Sequence, residues 1–335
     1  MFKAALSLPL TLALSFSAAA THAGDYASTP EAQAIIKQLA KEGISEAWTA
    51  KAISQAERKE SILEAMDRPA EKRLNWTGYR KIFLTQARIK NGVTFWNQNE
   101  KALARAEAEF GVPAEIIVAI IGVETSYGTN MGSYRIIDSL STLGFDYPRR
   151  GEFFRKELTN FLRLAYKEKF DPASLKGSYA GAMGYGQFMP SSYLDYAVDY
   201  SGDGIPDIWD NADDAIGSVA NYFKKHGWLV DGVTVLPVNP PADGSWKLSL
   251  SDGLKPETPM NTLRAQGLKV PEFLGNEMGN LMAFETDDGV QYWLGMNNFY
   301  AISRYNHSRF YSLAVYQLAH AIKNARDNMN AGDKP

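Results

Sequence analysis

The chain runs to 335 residues, 45% of them hydrophobic and 22% charged, which suffices for a large core divided over two or three domains. Its 35 basic and 38 acidic residues give a formal net charge of −3 with no strongly basic block, which argues against nucleic acid as a partner. No cysteine is present, so neither disulfides nor a thiol-linked lipid anchor is expected.

The opening residues 1–23, MFKAALSLPLTLALSFSAAATHA, place one positive charge at Lys3 before a short apolar run and then small residues. That is the pattern of a secretory signal peptide, with cleavage after Ala23. The run is too short and too rich in Ser and Ala to span a membrane, and no later segment is apolar for long enough. The expected mature protein is soluble and periplasmic or external, and loss of Lys3 leaves 34 basic against 38 acidic residues, a net charge of −4.

From 24 to 111 the spacing is helical with many charges, as in EAQAIIKQLAKEGISEAWTAKAISQA and VTFWNQNEKALARAEAEFG, and predicts an N-terminal helical domain. The run from Pro113 to Gly128, AEIIVAIIGVETSY between them, reads as one helix ending just past Glu124, because proline suits a first turn and glycine an exit. Ile116, Ile117, Ile120, Ile121 and Val123 leave little of it wettable, so Glu124 is a lone carboxylate in apolar surroundings. Desolvation raises a carboxyl pKa, and a raised pKa lets a general acid keep its proton near neutral pH. On this segment alone, a helix-end glutamate that swings into solvent is the plainer alternative. A further helix is predicted in GEFFRKELTNFLRLAYKEKF, where Phe154, Leu158, Phe161, Leu162 and Ala165 share one face. After Trp228 the texture changes to Pro, Gly and short alternating runs, which places a small β-containing subdomain at 231–293. Residues 294–335 return to helical periodicity in FYSLAVYQLAHAIKNARDN.

The segment from Ser178 to Tyr193 sets Gln187, Phe188 and Pro190 among glycines and small residues. Glycine at this density lets backbone approach a ligand closely, and Gln187 offers both donor and acceptor atoms; a tight, flexible loop is the alternative. ETSYG around Glu124 followed by GAMGYGQFMPSSY resembles the lytic transglycosylases, specifically the B-type family with a lysozyme-like catalytic core. The agreement continues through YPRRGEFF, the DYSGDG loop, DAIGSVANYF and SRYNHSRFY, from about Glu115 to Leu318.

The fold class is therefore expected to be mainly α with a small β subdomain (α+β). The resemblance implies a lysozyme-like core at 112–230 after the N-terminal helical domain. It also implies cleavage of the β-1,4 bond between N-acetylmuramic acid and N-acetylglucosamine in peptidoglycan, leaving a 1,6-anhydromuramoyl end. Ordinary glycosidases use two carboxylates, whereas the motif segments here offer one, so Glu124 would act as general acid and then as base. Asp138 and Glu152 are the candidates for a second carboxylate brought near by folding. Ser178 and Gln187 match groove positions that hold the sugar and its acetamido group, and Phe188 the groove wall. Tyr222, Tyr305, Asn306 and Tyr311 match positions that line the cleft and orient the glutamate, with core packing as the alternative for the tyrosines. Arg149 and Arg150 match paired arginines, implying contact with lactyl or stem-peptide carboxylates; a salt-bridged surface pair is the alternative.

The stretch from Asp199, DYSGDGIPDIWDNADDAIG, reads as an EF-hand-like calcium loop. Asp199, Ser201 and Asp203 offer oxygens on alternate residues, Gly204 stands at the sharp turn, and Ile205 can give its carbonyl. The closing carboxylate is Asp214 by resemblance, then Asp210, then Asp213. A metal-free turn rich in Asp and Ser is the alternative. Calcium is assigned a structural role, and no organic cofactor is expected. The four histidines form no zinc-protease motif, and neither a nucleophile elbow nor a phosphate-binding glycine loop is present. The expected partners are peptidoglycan glycan strands, with cell-wall synthesis proteins as further candidates, for a monomeric enzyme. A hydrolytic muramidase and a non-catalytic peptidoglycan-binding protein are the other two readings.

Overall fold

Side chains that accept from backbone N–H groups fix the starts of the first helices. Thr29 accepts from the Ala32 amide at 3.2 Å, with Pro30 in the first position, and opens α1 (Pro30–Lys41). Ser45 opens α2 (Glu46–Ser54) in the same way, and α3 (Glu60–Asp67) follows. Asn75 opens α4 (Trp76–Phe83) and Thr85 opens α5 (Gln86–Gln98). α6 (Glu100–Phe110) ends on Gly111 at φ 72°, a left-handed position that glycine takes without strain. The computed structural model describes residues 25–67 and 74–332, and the segment read as a signal peptide lies outside them.

Pro113 caps α7 (Ala114–Thr125), which carries Glu124 in its last turn. Then come β1 (Tyr134–Arg135), α8 (Ile136–Asp146), α9 (Gly151–Lys167), β2 (Lys176–Gly177), α10 (Pro190–Tyr196) and α11 (Ala212–Lys225). The remaining elements are β3 (Val235–Val238), β4 (Thr258–Pro259), α12 (Met260–Ala265), β5 (Met278–Thr286), β6 (Gly289–Gly295), α13 (Asn297–Tyr305) and α14 (Arg309–Gly332). The described chain is thus mainly α, and its four-stranded sheet falls where the sequence changes texture.

α7 is the central helix, packed by α5, α6, α11 and α14. An unbroken Ile and Val run on a helix surrounded on every side is what an all-round apolar pattern demands. At about 1.5–3 kcal/mol for each large aliphatic side chain removed from water, Ile116, Ile117, Val118, Ile120 and Ile121 contribute on the order of 10 kcal/mol as an upper bound. The acid-bearing helix is therefore an anchored element. Its apolar cluster is continuous from Ala32 on α1 to Ile322 on α14.

The sheet is antiparallel in the order β3-β6-β5-β4. One face packs on Trp246, Met260 and Leu263, and the other on Trp76, Phe299 and Leu313. At the tip of the β5–β6 hairpin, Asp287 accepts from Asn75 Nδ2 at 2.7 Å and donates its amide to Thr77 Oγ1 at 3.1 Å. The hairpin thereby holds the start of α4. A two-residue ribbon, β1 paired with β2, joins the loop after α7 to the glycine-rich segment. The sequence reading does not anticipate it, because two residues carry no periodicity.

Candidate active site

Glu124 sits one residue from the end of α7, where the chain leaves the helix through three left-handed residues, Ser126 (φ 51°), Tyr127 (φ 63°) and Gly128 (φ 85°). Two of them are not glycine, and such backbone costs on the order of 1 kcal/mol or more unless its surroundings hold it. The surroundings here are specific. The Tyr127 hydroxyl donates to the Arg88 carbonyl at 2.9 Å, and the Arg88 guanidinium donates to the Gly122 carbonyl. A Cβ on Gly122 would stand 2.6 Å from the Tyr127 hydroxyl oxygen, so this glycine admits the ring beneath the helix. Thr125 accepts from the Gly128 amide at 2.9 Å and donates to the Tyr185 carbonyl at 2.9 Å. The turn that presents Glu124 is thus tied directly to the glycine-rich segment.

The Tyr311 hydroxyl, from the first turn of α14, donates to Glu124 Oε1 at 2.6 Å. Burial pushes the Glu124 carboxyl up to about 7, against the Tyr311 bond, which favours the ionised form. Glu124 still keeps partial access to solvent. Burial and then the Glu124 charge hold the Tyr311 and Tyr305 phenols well above their ordinary range, so both remain donors. Tyr79 on α4 is raised by burial first and by Glu124 second, which brings it into the same surroundings. Sequence reading misses Tyr79, since a half-buried aromatic in a short helix gives no signal of what stands opposite it.

Tyr305 donates to the Gly186 carbonyl at 2.6 Å, and its ring lies 4.7 Å from Tyr222 and 6.0 Å from Phe188. Tyr222 is buried, donates to the Arg304 carbonyl at 2.6 Å and stacks on His226, so its contacts are those of core packing. Phe188 is buried in the same aromatic group, and Asn306 is exposed beside it in sequence to Tyr305. Gln187, at φ 50°, donates from Nε2 to the Met131 and Gly184 carbonyls, and among the described residues nothing donates to its Oε1. The Ser178 hydroxyl accepts from the Ala180 and Ala182 amides, which closes the loop. The glycines of this segment serve packing: a Cβ would fall 2.4 Å from Leu140 Cδ2 at Gly181, 2.3 Å from the Ile208 carbonyl oxygen at Gly184 and 2.7 Å from the Tyr305 hydroxyl at Gly186. The expectation that they make room for a ligand gives way to contact with protein at these three positions.

Neither candidate for a second carboxylate reaches Glu124. Asp138 is buried and accepts from both arms of Arg135 and from the Glu57 amide. Glu152 is exposed and pairs with Lys156 at 2.8 Å. No acidic group contributes to the shift at Glu124.

Residues 27–320 match the family described as the transglycosylase SLT domain. The chain belongs to that family. Membrane-bound lytic murein transglycosylase B of Escherichia coli (strain K12) is 48% identical over 314 residues, covering 90% of this chain and 85% of that one. Among solved structures, soluble lytic transglycosylase SltB1 from Pseudomonas aeruginosa superposes with a TM-score of 0.84 at 49% identity, over 89% of this chain and 100% of that one. The Escherichia coli lytic transglycosylase Slt35 in complex with calcium gives 0.81 at 49% identity, over 91% and 96%. The protein is a lytic transglycosylase of lysozyme-like fold.

Two further groups of this transglycosylase's residues are spread differently. Arg149 is largely exposed, with its nearest carboxylate, Asp67, at 3.8 Å, and Arg150 lies 4.4 Å above the Phe153 ring at the start of α9. Asp199, Asp203 and Asp214 bring carboxylate oxygens within 4.8 Å of one another. Asp199 accepts from the Gly202 and Gly204 amides, and Asp214 accepts from Tyr200, Ser201 and Asp207. The Ser201 hydroxyl lies 3.4 Å from Asp199, and the Ile205 carbonyl accepts from the Asp207 amide. Asp210 and Asp213 stand outside this group of three. No helix among the described residues is long and apolar enough to cross a membrane.

Proposed function

We propose that this transglycosylase cleaves the β-1,4 bond between N-acetylmuramic acid and N-acetylglucosamine and leaves a 1,6-anhydromuramoyl end, with Glu124 as the only acid–base group. The observation that carries the reading is a carboxyl raised to about 7 by burial, with a phenol and no second carboxylate acting on it. Two-carboxylate glycosidases keep the partner at about 5–9.5 Å, whereas Asp138 is engaged by Arg135 and Glu152 by Lys156. Protonated Glu124 gives its proton to the glycosidic oxygen as the C1–O4 bond breaks. The carboxylate then takes the proton of the muramoyl 6-hydroxyl, whose oxygen bonds to C1. Glu124 ends protonated and no water is consumed.

Tyr311 orients the carboxyl, while Tyr79, Tyr305, Asn306, Phe188 and Tyr222 belong to or support the cleft wall. Gln187 meets the sugar through its unengaged Oε1, and Ser178 through the proton its hydroxyl still carries. Arg149 and Arg150 meet substrate carboxylates. The division into 24–111, 112–230, 231–293 and 294–335 and a periplasmic location after signal cleavage belong to the same reading.

The Asp199–Asp214 group fits a calcium ion. Three carboxylates held within 4.8 Å repel one another without a counter-charge, and their hard oxygens are what this ion prefers. Asp199, Ser201, Asp203, the Ile205 carbonyl and Asp214 would hold it. Bound there, the ion supplies neutralisation and a link between the loop and the start of α11.

The test is mass spectrometry of products released from purified peptidoglycan. Products one water lighter than their hydrolysed equivalents, absent with Glu124→Gln, are expected. Reducing-end products would instead make the enzyme a muramidase, and undiminished turnover by Glu124→Gln would remove Glu124 from the chemistry.

A further inference from the structure

A groove of about 450 Å³ lies on the flank of α4 away from Tyr79, between that helix, β6 and α14, with Thr77, Arg80, Asp288, Gln291, Trp293 and Gln317 among its walls. Its volume falls within the roughly 300–1,000 Å³ of small-molecule sites. Thr77 and Arg80, three residues apart, share one face of α4. Tyr79, whose phenol feels the Glu124 charge, stands about 100° around the helix from Arg80 and about 160° from Thr77. Gln317 lies about 9 Å along α14 from Tyr311 and about 120° around it. The groove is therefore separate from the reaction centre.

The fold leaves the polar groups of this groove open. Arg80 Nε donates to Gln317 Oε1 at 2.7 Å, which braces the guanidinium. Among the described residues its two terminal nitrogens, Gln317 Nε2, the Gln291 amide and the Asp288 carboxylate have no partner. Thr77 Oγ1 accepts from the Asp287 amide and keeps its own proton to give. The Trp293 indole is half-buried in the wall, and its Nε1–H is buried without an acceptor, a rare state for a polar group. One guanidinium and one carboxylate cancel in charge, so neither a polyanion nor a polycation meets a matched surface here. A neutral ligand rich in hydroxyls and amides uses every group. Its hydroxyls give to Asp288 and take from Arg80 and Thr77, an acetamido group pairs with a glutamine amide, and a sugar face meets the indole.

We propose that this groove binds β-1,4-linked N-acetylhexosamine units, as a second glycan site that holds the enzyme on a strand without cleaving it. That the strand is peptidoglycan rests on the reading of the substrate given above. Asp288, the one carboxylate lining the groove, is exposed and lacks the apolar surroundings of Glu124, so the site binds and does not react. An insoluble polymer favours such a hold, because each of two contacts on one network raises the effective concentration of the other.

The test is heteronuclear NMR of the indole N–H groups in Glu124→Gln, with the Trp293 signal identified by its absence from Trp293→Phe. The tetramer of β-1,4-linked N-acetylglucosamine is expected to move that signal in a saturable way. Adding Arg80→Ala and Gln291→Ala, both at exposed positions, should weaken the response about tenfold, the size of one or two hydrogen bonds. In the otherwise wild-type chain the same pair should lower retention on sedimented peptidoglycan severalfold and leave turnover of a short soluble glycan unchanged. That comparison decides the matter even where Trp293→Phe folds poorly. A Trp293 signal that ignores the tetramer, retention unaltered by the paired substitution, or a response to glycan-free stem peptides in place of the tetramer would overturn the proposal. The tetramer response is independent of the cleavage reading, which the product masses test separately.

Discussion

Glu124→Gln isolates what the fold gives up to keep a carboxyl in this position. Burial raises the Glu124 pKa from 4.5 to about 7, so between those values the folded chain holds a proton that the unfolded chain has released. Stability associated with that proton is whole below the unfolded value of 4.5 and is lost as pH rises through about 7. At about 1.4 kcal/mol per pH unit, the ionised side chain costs roughly 3 kcal/mol at pH 8 and under about 1 kcal/mol at pH 5, figures that solvent access at Glu124 reduces. Glutamine has nearly the same shape, still accepts from Tyr311 and does not ionise. The variant is therefore expected to exceed wild type in stability at pH 8 by up to that amount, with the gap closing toward pH 5. Denaturant midpoints of both proteins from pH 5 to 9 measure it, and subtracting the curves cancels every other titration. Parallel curves, or a gap that widens toward acid, would refute the reasoning.

Tyr311→Phe removes the hydrogen bond that favours the charged carboxylate, so the alkaline fall of kcat/KM should move to higher pH while turnover drops on the order of tenfold; a shift to lower pH would contradict the assigned contact. Gly186→Ala sets a methyl 2.7 Å from the Tyr305 hydroxyl and should cost about 1–3 kcal/mol in thermal unfolding, whereas a loss below about 0.5 kcal/mol would mean the aromatic wall yields freely. A calcium chelator should lower the Tm of wild type more than it lowers turnover of the intact fold. It should leave Asp203→Ala, already lowered, unmoved, and a wild-type Tm that ignores the chelator would dispose of the ion.

Glu124 is legible in the sequence because a lone carboxylate inside an unbroken Ile and Val run has few ordinary explanations. What surrounds it is legible only in part. Tyr311 lies 187 positions away, and resemblance alone suggests that it orients the acid. Tyr79 leaves no trace at all, since its placement depends on the β5–β6 hairpin tip gripping Asn75 and Thr77. The glycines show the limit from the other side. A sequence records that Gly184 and Gly186 lack a Cβ, but it does not record that a carbonyl and a phenol occupy the space. In the acidic loop, the register between Asp210, Asp213 and Asp214 stays open in one dimension. In three, Asp214 is the one that turns inward at the start of α11, where three amides meet it.

Because Tyr311 stays protonated and donates to Oε1 of Glu124, Oε2 is the carboxyl oxygen to which nothing among the described residues donates. An acid that serves two steps then gives and receives at the same atom. On the proposed acid-then-base reading, the departing glycosidic oxygen and the incoming 6-hydroxyl would both meet Glu124 at Oε2.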